Sequence, residues 1–358
     1  MGKARFLHNN LITAASMITP SSLRTGLVSA AVKQGDGSAI LNPSGAFSGA
    51  ADIEYSIEID SVAGGVSVGQ ATFKWSDGGG SWDASGVLTS AVDVLLNNGV
   101  YVNFTAGSGD DFALADKWWF RAWNLFSPGK MIDGNRDTRY RSSSLGAPNT
   151  ITINLGSAQE VKSLIIGDHN LTSGATIALK ANSSDSWGSP PFSESVTWAA
   201  DKILHYLSAA QAYQYWQIQI TDASNPDGHI EIGELFLGSY LELAKNFDLA
   251  PGYPITFVEG QESTPYGVDR SRFYNWQQGI ELSFSNLSNA DRLSLEGMIT
   301  GLGSRATGIK KPFWFHEDSA VAGNVWLVNA SGMEKRRAHS SNTLWDVGLS
   351  LREVLRSV

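Results

Sequence analysis

The stretch Asp133-Gly-Asn-Arg-Asp-Thr-Arg-Tyr140 places carboxylate, amide and hydroxyl oxygens on a short segment rich in turn-forming residues. It is followed by Thr150-Ile-Thr-Ile-Asn-Leu155, in which polar and apolar residues alternate with a period of two, as in a half-buried strand. Similar short apolar runs continue to Leu237 at regular intervals. A turn followed by strands at this spacing predicts a β-sandwich.

The 133–140 stretch resembles the D-G-N-x-x-T-x-W loop of discoidin (coagulation factor C-type) domains and of related galactose-binding-like carbohydrate modules. Two later features agree with that family in order. Ile151-Thr-Ile-Asn-Leu-Gly156 is similar to its I-x-I-D-L-G strand, and Tyr215–Ile220 followed by Ile230–Gly238 is similar to its paired closing strands. Tyr140 stands where the family usually has Trp. The resemblance implies a jelly-roll sandwich that binds ligands or neighbours.

The resemblance also suggests how the chain is divided. An element similar to the family's opening strand lies in residues 1–24, far ahead of the 133–140 stretch. We therefore expect a discontinuous discoidin-like sandwich made of residues 1–24 and 121–243. Residues 25–120 would form a small inserted β domain, and residues 244–358 a C-terminal β-rich assembly domain. The expected fold class is all-β.

Two local patterns sharpen this expectation. Asn97-Asn-Gly99 separates two strand-like runs, which predicts a hairpin because Asn-Gly readily adopts positive φ. Ser288 to Ile299 is the one convincing helix of the sequence, with Asn286 or Ser288 as its cap. Its expected apolar face contains Leu293, Leu295 and Met298, and Gly301 and Gly303 are expected to end it.

The composition limits the function. A net charge of −9 argues against nucleic acid as the main partner, because phosphate binding needs clustered Lys and Arg. The chain has no cysteine, no apolar signal core at its start and no apolar run long enough for membrane insertion. Gly-x-Ser-x-Gly, zinc-binding and phosphate-loop motifs are absent from the sequence, so we expect no enzymatic activity.

Calcium is the one cofactor that the resemblance implies. In related modules, a loop like 133–140 holds a structural Ca²⁺ together with a Glu from the last strand. By match, the ligands would be Asp133 and Glu234, with Asn135 and Thr138 nearby. Oxygen ligands suit this cation. The alternative is that these side chains only cap the turn.

Carbohydrate binding needs an aromatic platform beside polar groups. Trp187, in a Ser- and Pro-rich loop, is the main candidate, and Tyr213 and His169 are the others. Trp187 would equally suit packing against a neighbouring subunit. The supply of aromatic residues, with 12 Trp, 15 Phe and 10 Tyr, favours interfaces, where aromatic side chains are preferred anchors.

The regions around the sandwich resemble discoidin-containing tail proteins of tailed bacteriophages. This resemblance implies a distal-tail-like component of the tail tip or baseplate, made in the host cytoplasm and incorporated into the virion. Its expected partners are copies of itself in a ring, the tail tube, hub and fibres, and host-surface glycans. The alternatives are a carbohydrate-binding adhesin, or an accessory module of a glycan-active enzyme.

Overall fold

The structure, a computed structural model, describes residues 2–49, 51–78, 80–146, 148–249, 251–263, 269–301, 311–337 and 343–355, without the side chains of 259–263 and 269–273. Its regular structure is almost all antiparallel strand, with one α-helix in the described ranges. The expected all-β fold is confirmed. Buried apolar side chains form three large clusters and a smaller fourth one. One large cluster lies within residues 131–237 together with Ile12 and Ile18, and another within residues 243–351 together with Ala4 and Phe6. The third lies within residues 39–122.

Two N-terminal strands, β1 (Arg5–Asn10) and β2 (Ile18–Pro20), flank a 3₁₀ turn at Ala15–Met17. Residues 25–120, as far as the structure describes them, then form sheets that do not pair with either strand. Their strands, together with the one that leads out of this region, are β3 (Leu27–Val28), β4 (Val32–Gln34), β5 (Ile40–Gly45), β6 (Ile53–Ser61), β7 (Thr72–Ser76), β8 (Ala84–Leu88), β9 (Val94–Leu95), β10 (Val100–Thr105) and β11 (Lys117–Trp123).

The predicted hairpin at Asn97–Gly99 is confirmed. β9 pairs with β10 through Leu95 opposite Tyr101. Asn98 and Gly99 have φ values of 48° and 75°, the positive values that a type I′ turn requires at both central positions. The Asn-Gly pair therefore fixes the register of this edge of the inserted region.

The sandwich follows in residues 140–241. Its strands are β12 (Tyr140–Arg141), β13 (Asn149–Gly167), β14 (Thr176–Asn182), β15 (Phe192–Val196), β16 (Lys202–Thr221), β17 (Glu231–Ile232) and β18 (Glu234–Leu241). The long strands β13 and β16 pair over their whole lengths, with register shifts near Gln159 and Val161. Side chains from both halves, such as Ile153 and Ile166, share one core, so the sheet folds over upon itself.

The C-terminal region contains β19 (Ile255–Ser263), β20 (Asp269–Leu287), α1 (Asn289–Gly301), β21 (Phe313–His316), β22 (Val325–Arg337) and β23 (Trp345–Glu353). Ser288 caps α1 as predicted, since its hydroxyl accepts the Asp291 N–H at 3.0 Å.

The apolar face predicted for α1 is partly wrong. Leu295 and Met298 are buried, but Leu293 is 51% exposed. The third buried position is Arg292, one turn before Leu295, and its guanidinium lies 4.5 Å from the Trp345 ring centroid. Residues one turn apart share a helix face, whereas Leu293 and Leu295 do not. The predicted stop at Gly303 lies outside the described residues.

Strand β1 joins the sandwich to the C-terminal region. It pairs with β18 on one side, where Phe6 is opposite Leu241, and with β21 on the other, where Phe6 is opposite Phe315. The result is a single 12-stranded sheet running from β15 to β19. Gly238 permits this close approach, because a Cβ there would lie 2.0 Å from the Asn9 carbonyl oxygen.

Candidate functional site

The 133–139 loop lies between a 3₁₀ turn at Pro128–Met131 and β12. Its polar side chains hydrogen-bond within the loop. Asp133 accepts the Asn135 N–H at 3.0 Å and the Thr138 hydroxyl at 2.7 Å, and Asn135 Oδ1 accepts the Asp137 N–H at 3.1 Å. In this structure, the side chains of Asn135 and Thr138 therefore cap the turn, as the alternative to calcium binding expects.

Glu234, the first residue of β18, closes the loop from the opposite side. Its side chain is buried, and its Oε1 has no hydrogen-bond partner among the described residues. Burial, reinforced by the nearby carboxylates of Asp133 and Asp168, raises the pKa of Glu234 to about 8. Asp133, Gly134 and Glu234 all line one cavity of about 640 Å³ between the sandwich and the C-terminal region.

Two observations bear on calcium. The unsatisfied buried oxygen of Glu234 beside Asp133 fits a cation that takes oxygen ligands. The described residues contain no cluster of three or more His, Cys, Asp or Glu side chains suited to a metal ion. A bound ion would therefore depend on these two carboxylates supplemented by carbonyl oxygens, and the Lys130 ammonium, 4.0 Å from Asp133, would compete with it.

Gly134 holds this loop against the C-terminal region. Its φ of 69° lies in the left-handed region, and a Cβ there would meet Pro312 Cγ at 2.8 Å. The next residue but one, Arg136, donates two hydrogen bonds of 2.9 Å to Asp168 and one of 3.2 Å to the Val354 carbonyl. Hydrogen bonding to Asp168 raises the pKa of Arg136, which keeps the guanidinium charged. The loop is thus fixed to both regions.

A second polar cluster lies where β12 pairs with β17. Arg141 Nε donates to Glu231 at 2.7 Å, His229 Nε2 lies 3.1 Å from the same carboxylate, and Arg139 Nε lies 3.8 Å from it. Arg141 also covers the Phe126 ring, with its Cζ 4.0 Å from the centroid. Two guanidinium groups meet one carboxylate beside an aromatic ring, so the cluster carries excess positive charge.

This cluster was missed in the sequence, although a signal was present. Arg139 and Arg141, and likewise His229 and Glu231, are two residues apart, so each pair projects to one side of an extended segment. The sequence does not show that residues 141 and 231 are cross-strand neighbours. That pairing joins two segments far apart in sequence.

The predicted carbohydrate-binding residues do not form one site. His169 precedes β14 and Trp187 follows it, so they lie at opposite ends of that strand. The half-buried Trp187 donates its indole N–H to Asp185 at 2.7 Å. Tyr213 packs edge-on against the buried Trp216, with ring centroids 6.3 Å apart. Of the three, Trp187 is the one that lies in a mostly exposed loop.

His169 has a structural role in its loop. Its Nδ1 accepts the Leu171 N–H and its Nε2 lies 3.1 Å from the Ala199 carbonyl, an arrangement that fits a neutral ring with the proton on Nε2. Burial lowers the pKa of His169, which also favours the neutral form. Both ring nitrogens are already engaged.

Glu231 and Glu234, three residues apart in the sequence, lie in two separate surroundings. Glu231 lies on β17 in the arginine cluster, whereas Glu234 faces the cavity.

Within the described ranges, no helix is both long and apolar enough to cross a membrane.

Comparison with known proteins gave no matching family model and no matching curated protein. Among solved structures, the chain is similar to chitosan-binding module 1 of a chitosanase/glucanase from Paenibacillus sp. IK-5, at 20% identity over 32% of this chain and 86% of that one, with a TM-score of 0.26. It is also similar to the family 32 carbohydrate-binding module of NanJ from C. perfringens, in complex with galactose, at 18% identity over 33% and 87%, with a TM-score of 0.26.

A third similar structure is the fucose-binding module SpX-3 of Streptococcus pneumoniae, at 14% identity over 31% of this chain and 83% of that one, with a TM-score of 0.25. All three are carbohydrate-binding modules, and each matches about a third of this chain. Their identities and TM-scores are too low to assign a ligand, so any function has to be inferred from this chain's own residues.

Proposed function

We propose that the chain is a non-catalytic structural subunit of a bacteriophage tail tip or baseplate, incorporated into the virion after synthesis in the host cytoplasm. The tail-tip assignment rests on the sequence resemblance around the sandwich. The structural role is supported by the position of β1, which makes the sandwich and the C-terminal region parts of one hydrogen-bonded sheet. A binding module displayed on a flexible linker would reorient freely. A module built into its neighbour's sheet keeps a fixed direction, which suits a building block.

Side-chain contacts across the same junction support the proposal. Arg136 connects the sandwich to Glu353 and Val354, and Gly134 fits against Pro312. In the proposed assembly, the C-terminal region forms the ring that meets the tail tube and hub. The sandwich and the inserted region face outward towards fibres or the host surface.

The test is the assembly state of the purified chain. We expect size-exclusion chromatography with light scattering to give a single closed oligomer, and negative-stain electron microscopy to show rings. The ring proposal is abandoned if the chain stays monomeric up to about 100 µM, a concentration well above that at which stable protein assemblies form.

Glycan recognition is the second candidate function, and the Arg139–Arg141–Glu231 cluster favours it. Excess guanidinium charge suits a sugar that presents a carboxylate or sulfate, because guanidinium forms paired hydrogen bonds with such anions. On this proposal the ligand is an acidic glycan of the host surface.

A glycan array with three variants separates the candidate surfaces. Arg141→Gln should reduce binding to acidic glycans at least tenfold if the cluster is the site. Trp187→Ala should do so if the loop after β14 is the site instead. Trp82→Ala, which removes an exposed tryptophan from the inserted region, is the matched control. Silence of the wild-type chain on the array would leave assembly as the only function.

A structural calcium ion held by Asp133 and Glu234 completes the proposal. The unsatisfied Glu234 oxygen is its support. We expect Ca²⁺ to raise the melting temperature of the wild-type chain and to have no effect on Glu234→Gln. An unchanged melting temperature on addition of Ca²⁺ or chelator would remove the ion from the account.

A further inference from the structure

The hairpin of β19 and β20 extends beyond the sheet that anchors it. Residues 279–287 of β20 pair with β23, but residues 269–278 pair with β19 alone in the described part of the chain. This outer part is called the ribbon here, comprising residues 255–263 and 269–278. A two-stranded ribbon is marginally stable in water without further packing.

The ribbon exposes a continuous apolar surface. Ile255 and Phe257 are two residues apart on β19 and therefore share a face, and Phe257 is opposite Trp276 on β20. These three side chains are 60%, 61% and 47% exposed, and Tyr274, at the bulge in β20, is 55% exposed. Among the described residues, four of the six exposed aromatic side chains lie on the ribbon or just before it: Tyr253, Phe257, Tyr274 and Trp276.

The residues that form this apolar face carry no charge, whereas the outer part of the ribbon does. Residues 249–258 and 274–280 contain no Asp, Glu, Lys or Arg, but further along the two strands lie Glu259, Glu262, Asp269, Arg270 and Arg272. Depletion of charge together with enrichment in aromatic residues characterises the cores of permanent interfaces, above all those between identical subunits. A transient partner attracted by charge would be expected to bind a charged surface instead.

The apolar face supplies part of an interface. Ile255, Phe257 and Trp276 share this face and are 60%, 61% and 47% exposed. With about 150–250 Å² for a large aromatic side chain, they amount to an area on the order of 300 Å². A stable interface of standard size buries about 800 Å² on each partner, so the remainder has to come from the surface beside this face.

We propose that the ribbon is the element through which one copy of this chain binds a second copy. The inference rests on the proposed function and names the surface that builds the ring. β19 is also the end strand of the 12-stranded sheet, and an end strand offers unpaired backbone groups to a neighbour. The neighbouring copy covers the apolar face and stabilises the ribbon that the monomer leaves in water.

The experiment compares two double variants of the whole chain with the wild type. Phe257→Ser with Trp276→Ser removes the centre of the apolar face. Val92→Ser with Leu114→Ser removes two side chains that are 75% and 63% exposed on the inserted region. Light scattering over a concentration series should show at least a tenfold weaker self-association for the ribbon variant and no change for the control. A ribbon variant that associates like the wild type overturns the inference.

A second measurement leaves Phe257 and Trp276 in place. Because the chain has no cysteine, Ile255→Cys and Leu114→Cys each introduce a single thiol. Maleimide labelling at position 255 should slow at least tenfold as the protein concentration rises through the association range, while labelling at position 114 should stay constant. A labelling rate at position 255 that does not change with protein concentration would also overturn the inference.

The outcomes separate this inference from the proposed function. A wild-type chain that never associates contradicts both. A wild-type chain that associates, with a ribbon variant that associates equally well, contradicts only the role of the ribbon and leaves the structural subunit intact.

Discussion

Single residues fix the 133–139 loop between the sandwich and the C-terminal region, since Gly134 fits against Pro312 and Arg136 bonds to Asp168 and Val354. The order Asp133, Gly134, Asn135 predicted a tight turn, and Gly134 does adopt the left-handed φ that such a turn uses. The burial of Glu234 could not be predicted, since it depends on the C-terminal region closing over the loop. The sequence therefore indicates a residue's chemistry more reliably than its surroundings.

Gly134→Ala should destabilise the protein by about 1–3 kcal/mol, because it places a Cβ at positive φ and 2.8 Å from Pro312 Cγ. Gly188→Ala is the matched control, since nothing lies within 4 Å of its added methyl group. It should change the free energy of unfolding by no more than about 0.5 kcal/mol. Urea unfolding measures both, and equal effects would refute the assigned role of Gly134.

The raised pKa of Glu234 predicts a pH dependence in chelator-treated protein. The folded state keeps the proton up to a pH of about 8, whereas the unfolded state releases it near 4.5. Between these values the folded state binds more protons, so stability should fall as the pH rises through this window. Glu234→Gln should lack this contribution in urea titrations from pH 5 to 8. Parallel curves for the two proteins would contradict the shift.

At the scale of elements, local signals succeeded and long-range pairings were missed. Asn98-Gly99 and Ser288 act within a few residues, and both predictions are confirmed. The buried face of α1 could not be predicted from its apolar residues alone. Leu293 is exposed, whereas Arg292 is buried and packs its guanidinium on Trp345. The arginine cluster at Glu231 needs the pairing of β12 with β17, which no local pattern encodes.

Ser288→Ala should cost about 1 kcal/mol by removing the hydroxyl that caps α1. Ser294→Ala, at an exposed position within the same helix, should be neutral or slightly stabilising, because alanine has the higher helix propensity. Chemical denaturation of both variants tests the pair. A cost at position 294 that matches the cost at 288 would argue against the cap.

At the scale of the whole molecule, the division into residues 1–24 with 121–243, 25–120 and 244–358 stays a prediction. The inserted region has its own core and its own sheets, and no strand pairing links it to the 12-stranded sheet in the described residues. We expect hydrogen exchange to show the inserted region opening as a separate unit, while β18 and β21 open together. A single coincident opening across all three regions would contradict this division.

The position of β1 has a consequence for synthesis of the chain. Its pairings span much of the sequence, since Phe6 lies opposite Leu241 on β18 and Arg5 lies opposite His316 on β21. A strand translated so far ahead of its partners must stay unpaired until β18 has been made, and paired on one side only until β21 follows. Contacts between distant segments form slowly, and exposed strand edges are prone to aggregation. The rigidity of the finished molecule thus implies a vulnerable period during its production.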